Sequence, residues 1–285
     1  MSDPCVCCGG KTDPGLPGLL RCAACGHSRA DLALGAGELR KLYGRGYYEG
    51  MEYADYALEA PALRRNFRAR LGELARTHPK GAALFEIGCA YGFFLEAASD
   101  HFRVAGCDIS EHAAQTARAR LNAPVTAGDY LDLTPPEPPE VVCLWDTVEH
   151  LADPAACLEK VFGDLRPGGT LMLSTGDMGA LLPRLQGRRW RLIHPPTHLH
   201  YFTARSMRAL LGRLGFTNIT IRHHAFWRSA DAVVFRLLAG PEGRLPALYR
   251  MLKGAGLLNF SFPVNTLDLM TVRAEKPRAA ADKAT

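Results

Sequence analysis

Three groups of side chains have the types and spacing that chemistry needs. The first is Cys5-x2-Cys8 and, thirteen residues on, Cys22-x2-Cys25. Two residues between thiolates let one tight turn aim both sulfurs at a single ion, and Gly9 and Gly26 supply the positive φ that such turns require. Four thiolates suit tetrahedral Zn²⁺ with no position left open, which is a structural site. Cys7 and His27 stand close enough in sequence to serve as alternative ligands. The second group is Glu86-x-Gly88-x-Ala90-Tyr91-Gly92, with Asp108 twenty residues after Gly88. The third is histidine: Glu149-His150 in one stretch, and His194-Pro-Pro-Thr-His198-Leu-His200 in another.

The second group reads as a cofactor turn. Glycines let backbone and ligand approach closely, and the small Ala90 nearly preserves that. An acid at Glu86 repels a diphosphate and suits an ammonium-bearing ligand, while the third-glycine pattern of a dinucleotide site is incomplete. Asp108 falls where a carboxylate accepts ribose hydroxyls. In the third group, His150 is the first candidate base, with Glu149 as its orienting carboxylate or as a helix-dipole partner, and His198 is the second. Pro195 and Pro196 break the i, i+4 geometry by which three histidines on one helix would bind metal, so a metal site within that stretch is not expected.

The elements that must position these groups follow from residue 82 onward, where short apolar runs alternate with helical segments, the pattern of a parallel α/β sheet. Ala82–Ile87, Arg103–Cys107, Pro124–Ala127, Val141–Trp145 and Thr170–Ser174 read as strands. Between them, Ser110 caps a helix running to about Leu121, and Asp153-Pro154 opens another whose Leu158, Val161, Phe162 and Leu165 share one face. Thr203–Leu214 reads as a helix, and Ile219–Arg222 and Leu267–Ala274 as further strands. The glycine turn thus joins a strand to a helix, and Asp108 ends the next strand.

Composition excludes other classes. Among 285 residues, 34 Lys+Arg against 29 Asp+Glu give a net charge of +5, too mild to imply nucleic acid by itself. The longest uncharged run, Gly254–Leu267, is 14 residues, short of the roughly 20 a membrane span needs. Four scattered cysteines (Cys89, Cys107, Cys143, Cys157) in apolar contexts fit a reducing cytoplasm rather than a disulfide framework.

Taken in order, Glu86-x-Gly88-x-Ala90-x-Gly92, Asp108, Gly128-Asp129-Tyr130 and the strand ending Trp145-Asp146 resemble the class I S-adenosylmethionine-dependent methyltransferases over about residues 80–275. The resemblance implies a doubly wound, Rossmann-like, seven-stranded and mostly parallel sheet. It implies that Glu86, Gly88 and Gly92 cradle the methionine part, that Asp108 holds the ribose, that Asp129 with Tyr130 meets the adenine, and that Ala90, Tyr91, Ile109 and Trp145 belong to the same cofactor site. A Glu-His pair after the fourth strand, with an N-terminal zinc ribbon and paired tyrosines, is similar to bacterial sugar methyltransferases, although Thr147 stands where they carry tyrosine.

The organisation expected from this reading is a zinc ribbon over 1–36, a tyrosine-rich helical linker over 37–79, a methyltransferase domain over 80–275 and a disordered tail over 276–285. Five of nine tyrosines fall between Tyr43 and Tyr56, and Tyr48 is expected to close over the active site. The acceptor is expected to be a small molecule, a sugar or a natural-product or cell-envelope intermediate, with the protein a monomer or homodimer. Basic and apolar residues between Ala232 and Phe262 leave a lipid-linked substrate open. Two competing readings are an RNA methyltransferase using the ribbon as its nucleic-acid module, and a non-catalytic ribbon that docks a partner. Against RNA, three basic residues of the ribbon (Lys11, Arg21, Arg29) are matched by three acids (Asp3, Asp13, Asp31).

Overall fold

The computed structural model describes residues 4–32, 60–239 and 243–278. The tyrosine-rich stretch, Tyr48 included, lies outside the described residues. The chain opens with three short strands, β1 (Thr12–Pro14), β2 (Leu19–Cys22) and β3 (Ser28–Ala30), followed by helix α1 (Ala60–Thr77). The main domain then alternates: β4 (Ala83–Ile87), α2 (Phe93–Ala98), β5 (Arg103–Asp108), α3 (Glu111–Arg120), β6 (Val125–Ala127), β7 (Val141–Trp145), α4 (Pro154–Asp164), β8 (Thr170–Gly176) and α5 (Leu181–Gln186). After a long loop come β9 (His200–Tyr201), α6 (Ala204–Arg213), β10 (Thr217–Arg222), β11 (Phe226–Ser229), α7 (Ala230–Leu238), α8 (Pro246–Gly254), β12 (Ser261–Val264) and β13 (Leu269–Glu275).

Seven strands form one sheet in the order β10-β13-β8-β7-β4-β5-β6. β6 through β8 run parallel, and β13 is antiparallel to both its neighbours. This is the expected Rossmann-like architecture. All residues of β4, β7 and β8 are buried, as strands covered on both faces must be. Along β4 the side chains alternate: Phe85 and Ile87 pack into one core layer and Leu84 into the other. The order reverses between β4 and β7, which places a crevice at their carboxyl ends.

Helix starts follow the capping residues. Ser110 Oγ accepts from the Ala113 N–H, and Asp153 Oδ1 accepts from Ala155 and Ala156, each at 3.0 Å. The ribbon is not a detached module. β3 pairs with β9 of the main domain, so the ribbon sheet has the order β1-β2-β3-β9, and the cysteines join the core layer that contains Phe202 and Met207. The insertion between β10 and β13 pairs β11 with β12. At the carboxyl end, Lys276 Nζ donates to the carbonyls of Gly163 (3.0 Å) and Leu165 (2.7 Å), so this residue of the expected tail is tied to the domain. Residues 279–285 lie outside the described residues. No helix among the described residues is long and apolar enough to cross a membrane.

Candidate active site

At the crevice, Gly88, Ala90 and Gly92 all have positive φ (73°, 47° and 76°). The amides of Gly88 and Cys89 donate to the Cys107 carbonyl at 2.8 and 3.0 Å, tying the turn to the end of β5. Ala90 carries a Cβ in a left-handed conformation, which costs roughly 1–2 kcal/mol. Its amide donates to Asp108 Oδ2 at 2.8 Å, while Ser110 donates to Oδ1 at 2.9 Å. Asp108 therefore braces the turn as well as facing the cavity.

That cavity holds about 540 Å³. Eight of the ten residues expected to bind cofactor line it: Glu86, Gly88, Ala90, Asp108, Ile109, Asp129, Tyr130 and Trp145. Tyr91 turns elsewhere, its hydroxyl 3.3 Å from His112 Nε2. Gly92 sits beneath the turn, where a Cβ would stand 2.9 Å from Leu121 and 3.1 Å from Ala117. Tyr130 presents its ring to the cavity edge, but its hydroxyl donates to Asp164 Oδ2 at 2.6 Å in α4. Asp129 accepts from the Leu131 amide and so caps the short turn Tyr130–Asp132.

Glu86 is 2% exposed, and its Oε2 has no hydrogen-bond partner. Burial, and next the charge of Asp108, push its carboxyl well above the ordinary range, against the pull of Arg70. A buried carboxylate oxygen without a donor is costly and gains from an arriving cation. A buried Glu86 oxygen without a donor and the Asp108 carboxylate at one crevice are a donor set that fits an amino-acid-tailed adenosyl ligand.

The histidines of two distant segments converge on the same cavity. His150 ends a short 3-10 turn, Val148–His150, just past β7, and His198 precedes β9. The Leu199 amide donates to the Glu149 carbonyl at 2.9 Å, and His150 Nδ1 lies 2.8 Å from the Thr197 carbonyl. A carbonyl only accepts, so Nδ1 carries the proton and the ring's lone pair is on Nε2. The same holds for His198, whose Nδ1 donates to the Leu192 carbonyl at 2.9 Å. The two rings meet edge to face at 4.5 Å, and His194 stands 3.9 Å from His198. Burial lowers His150 to about 4 and His198 well below the usual value, so both are neutral near pH 7. Glu149 is buried, raised to about 8 by burial and then by Asp146, and its Oε2 has no hydrogen-bond partner. The Thr197 carbonyl holds His150 Nδ1, a pairing made between segments 47 residues apart.

In the ribbon, the sulfurs of Cys5 and Cys25, and of Cys8 and Cys22, lie 3.6 Å apart. All four fall within 4.8 Å of one another. Tetrahedral zinc with bonds of 2.3 Å separates sulfurs by about 3.8 Å, so the donor set fits that ion. Cys7 and His27 flank this set, with His27 Nδ1 3.7 Å from Cys5 Sγ.

Three features of the cavity wall had no distinctive sequence signal. Arg70 lies over the Trp145 ring at 4.4 Å. Asn66 exchanges two hydrogen bonds with the Trp227 backbone, donating at 3.1 Å and accepting at 2.7 Å. This clamps α1 to β11 and brings Phe226, Trp227 and Arg228 over the cavity. A lone arginine or asparagine on an amphipathic helix reads as solvated, and only the partner's position reveals its role.

A family profile described as "Methyltransferase domain" matches residues 58–221, more than half of the chain. The chain belongs to that family and is a class I S-adenosylmethionine-dependent methyltransferase. It is 27% identical over 182 residues to the ubiquinone biosynthesis O-methyltransferase of Leptothrix cholodnii, covering 56% of this chain and 77% of that protein. With the malonyl-(acyl-carrier protein) O-methyltransferase of Serratia marcescens it shares 28% identity over 146 residues, covering 50% of this chain and only 56% of the relative. Among solved structures, a SAM-dependent methyltransferase from Archaeoglobus fulgidus superposes with a TM-score of 0.52 at 18% identity, covering 78% of this chain and 99% of that one. The magnesium protoporphyrin IX methyltransferase of Synechocystis PCC 6803 gives 0.50 at 16% identity, covering 85% and 94%. These structural likenesses concern the fold.

Proposed function

We propose that the protein methylates a hydroxyl oxygen of a small molecule, with His150 receiving the proton. The supporting observation is the convergence on one cavity of the Glu86–Asp108 cradle and the His150–His198 pair. Bound S-adenosylmethionine supplies an electrophilic methyl on its sulfonium. Glu86 would hold the ammonium and Asp108 the ribose, with Asp129 and Tyr130 at the adenine. The bound donor would supply the methyl group to the acceptor oxygen, and His150 would take the proton that this oxygen gives up. Orientation by the walls supplies much of the acceleration, since in-line displacement depends on alignment. The relatives named for ubiquinone biosynthesis and malonyl-acyl-carrier protein support oxygen as the acceptor atom.

Zinc in this reading occupies Cys5, Cys8, Cys22 and Cys25 as a structural ion. Pairing of β3 with β9 makes the ribbon a brace for the acceptor-side loop, which supports a structural role over an RNA-reading one. All nine cysteines are unbridged, as in the reducing cytoplasm that we assign to the protein. The test is turnover against a panel of hydroxylated aromatics and sugars. His150→Ala is expected to lower kcat by roughly 10²–10⁴ with little change in affinity for S-adenosylmethionine. Full turnover in that variant contradicts the assignment.

A further inference from the structure

We propose that the insertion between β10 and β13 docks the protein on an anionic phospholipid surface. Most of the exposed large apolar side chains among the described residues fall in this insertion or on α5. Met251 is 62% and Phe260 58% exposed, and Leu245, Leu248 and Leu257 are exposed as well. Apolar side chains exposed this densely mark an interaction surface. Helix α8 buries none of its residues. It is held to α7 through Tyr249, whose ring centre lies 5.3 Å from that of Phe235 and whose hydroxyl donates to Asp231 Oδ1 at 2.9 Å. Leu248 and Met251, one turn apart, leave a second, exposed apolar face. A helix anchored on one side and apolar on another has the form of a segment lying in a membrane interface.

Charge selects the partner. The run from Gly243 to Leu267 contains Arg244, Arg250 and Lys253 and no acid, and is bounded by Glu242 and Asp268. Lys253 pairs with Asp231 at 2.9 Å, while Arg244 and Arg250 are exposed. Asp268 pairs with Arg191 and accepts from Trp190 Nε1 at 2.7 Å. These bonds tie the end of the insertion to a second run of similar composition. There Leu181 and Leu185 are exposed on α5, with Arg184, Arg188 and Arg189 beside them in the chain and no acid between Met178 and Ile193. Cations flanking exposed leucines fit phosphate headgroups above acyl chains. A twofold contact between copies through this face would instead set cations against cations. The insertion is also a wall of the cavity, since β12 pairs with β11 and Phe226, Trp227 and Arg228 line that cavity. The docking rests on no step of the methyl-transfer reading.

The test is co-sedimentation of the full-length protein with vesicles of phosphatidylcholine alone and of phosphatidylcholine mixed with phosphatidylglycerol. Neither cofactor nor acceptor is added, so the result is independent of turnover. Binding to the anionic vesicles is expected to be at least about tenfold stronger and to fall as salt rises. The double variant Leu248→Ser, Met251→Ser is expected to lose at least about tenfold in binding, and Arg250→Gln about fivefold. Either variant suffices if the other fails to fold. No binding by the wild type, or binding unchanged in a folded variant, overturns the proposal. Binding indifferent to headgroup charge overturns the anionic surface as partner. A dimer that the Leu248→Ser, Met251→Ser variant dissolves, without vesicle binding, overturns it in favour of contact between copies.

Discussion

A Cβ on Gly88 would stand 2.6 Å from both Cγ2 and Oγ1 of Thr147, because the turns after β4 and β7 touch at this glycine. Gly88→Ala is therefore expected to destabilise the fold by about 1–3 kcal/mol through overpacking. The positive φ of 73° adds strain to it. In a denaturant series, Thr147→Ala in the Gly88→Ala background should return part of that loss, since it removes the two closest atoms. Strict additivity of the two substitutions would show that the turns are not coupled.

Glu86 makes cofactor binding depend on pH. Its folded-state value is raised above the ordinary 4.5, so the folded apo-protein holds a proton that the unfolded chain has lost. The stability tied to that proton is complete below 4.5 and is lost as pH rises toward the raised value. An ammonium needs the carboxylate, so affinity for S-adenosylmethionine should rise with pH across that window, and binding should release a proton. Calorimetry over a pH series, in buffers of different ionisation enthalpy, measures the release. Glu86→Gln should abolish it and weaken binding by about 1.5–3 kcal/mol. Identical proton release in the variant would assign it to another group.

The Asn66 clamp should matter for the acceptor more than for the cofactor. Asn66→Ala removes both hydrogen bonds to Trp227 and lets β11 move from the cavity. The expected result is a KM for the acceptor raised about tenfold, as roughly 1.4 kcal/mol of positioning is lost, with the S-adenosylmethionine Kd within twofold. The reverse pattern would place Asn66 at the cofactor.

Zinc removal should be felt at the site. His27 Nε2 and His200 Nδ1 lie 3.2 Å apart across the ribbon seam, and β9 begins two residues after His198. In the proposed zinc site the metal would supply part of the ribbon's folding energy. Chelation is expected to raise hydrogen exchange at residues 194–202 and to lower turnover severalfold, with cofactor affinity kept. Unchanged exchange there would separate the ribbon from catalysis.

Much of this was legible before the structure, because its causes are local. The glycine turn, the Asp153-Pro154 cap and the buried strands announce themselves by residue type and period, and the sheet followed as expected. The four cysteines declare their pairing by spacing. What the sequence left dark depends on contacts between distant segments. His150 and His198 meet only because Thr197 and Leu199 bond to the turn after β7. β11 and β12 also escaped: the pairing partner of Phe226–Ser229 is Ser261–Val264, beyond two helices.

The most direct measurement is a crystal structure with S-adenosylhomocysteine bound. The account predicts the ligand's amino group against Glu86 Oε2, its ribose hydroxyls on the Asp108 carboxylate and its sulfur turned toward His150. A ligand seated outside the β4–β7 crevice, or one whose amino group meets a residue other than Glu86, would contradict it.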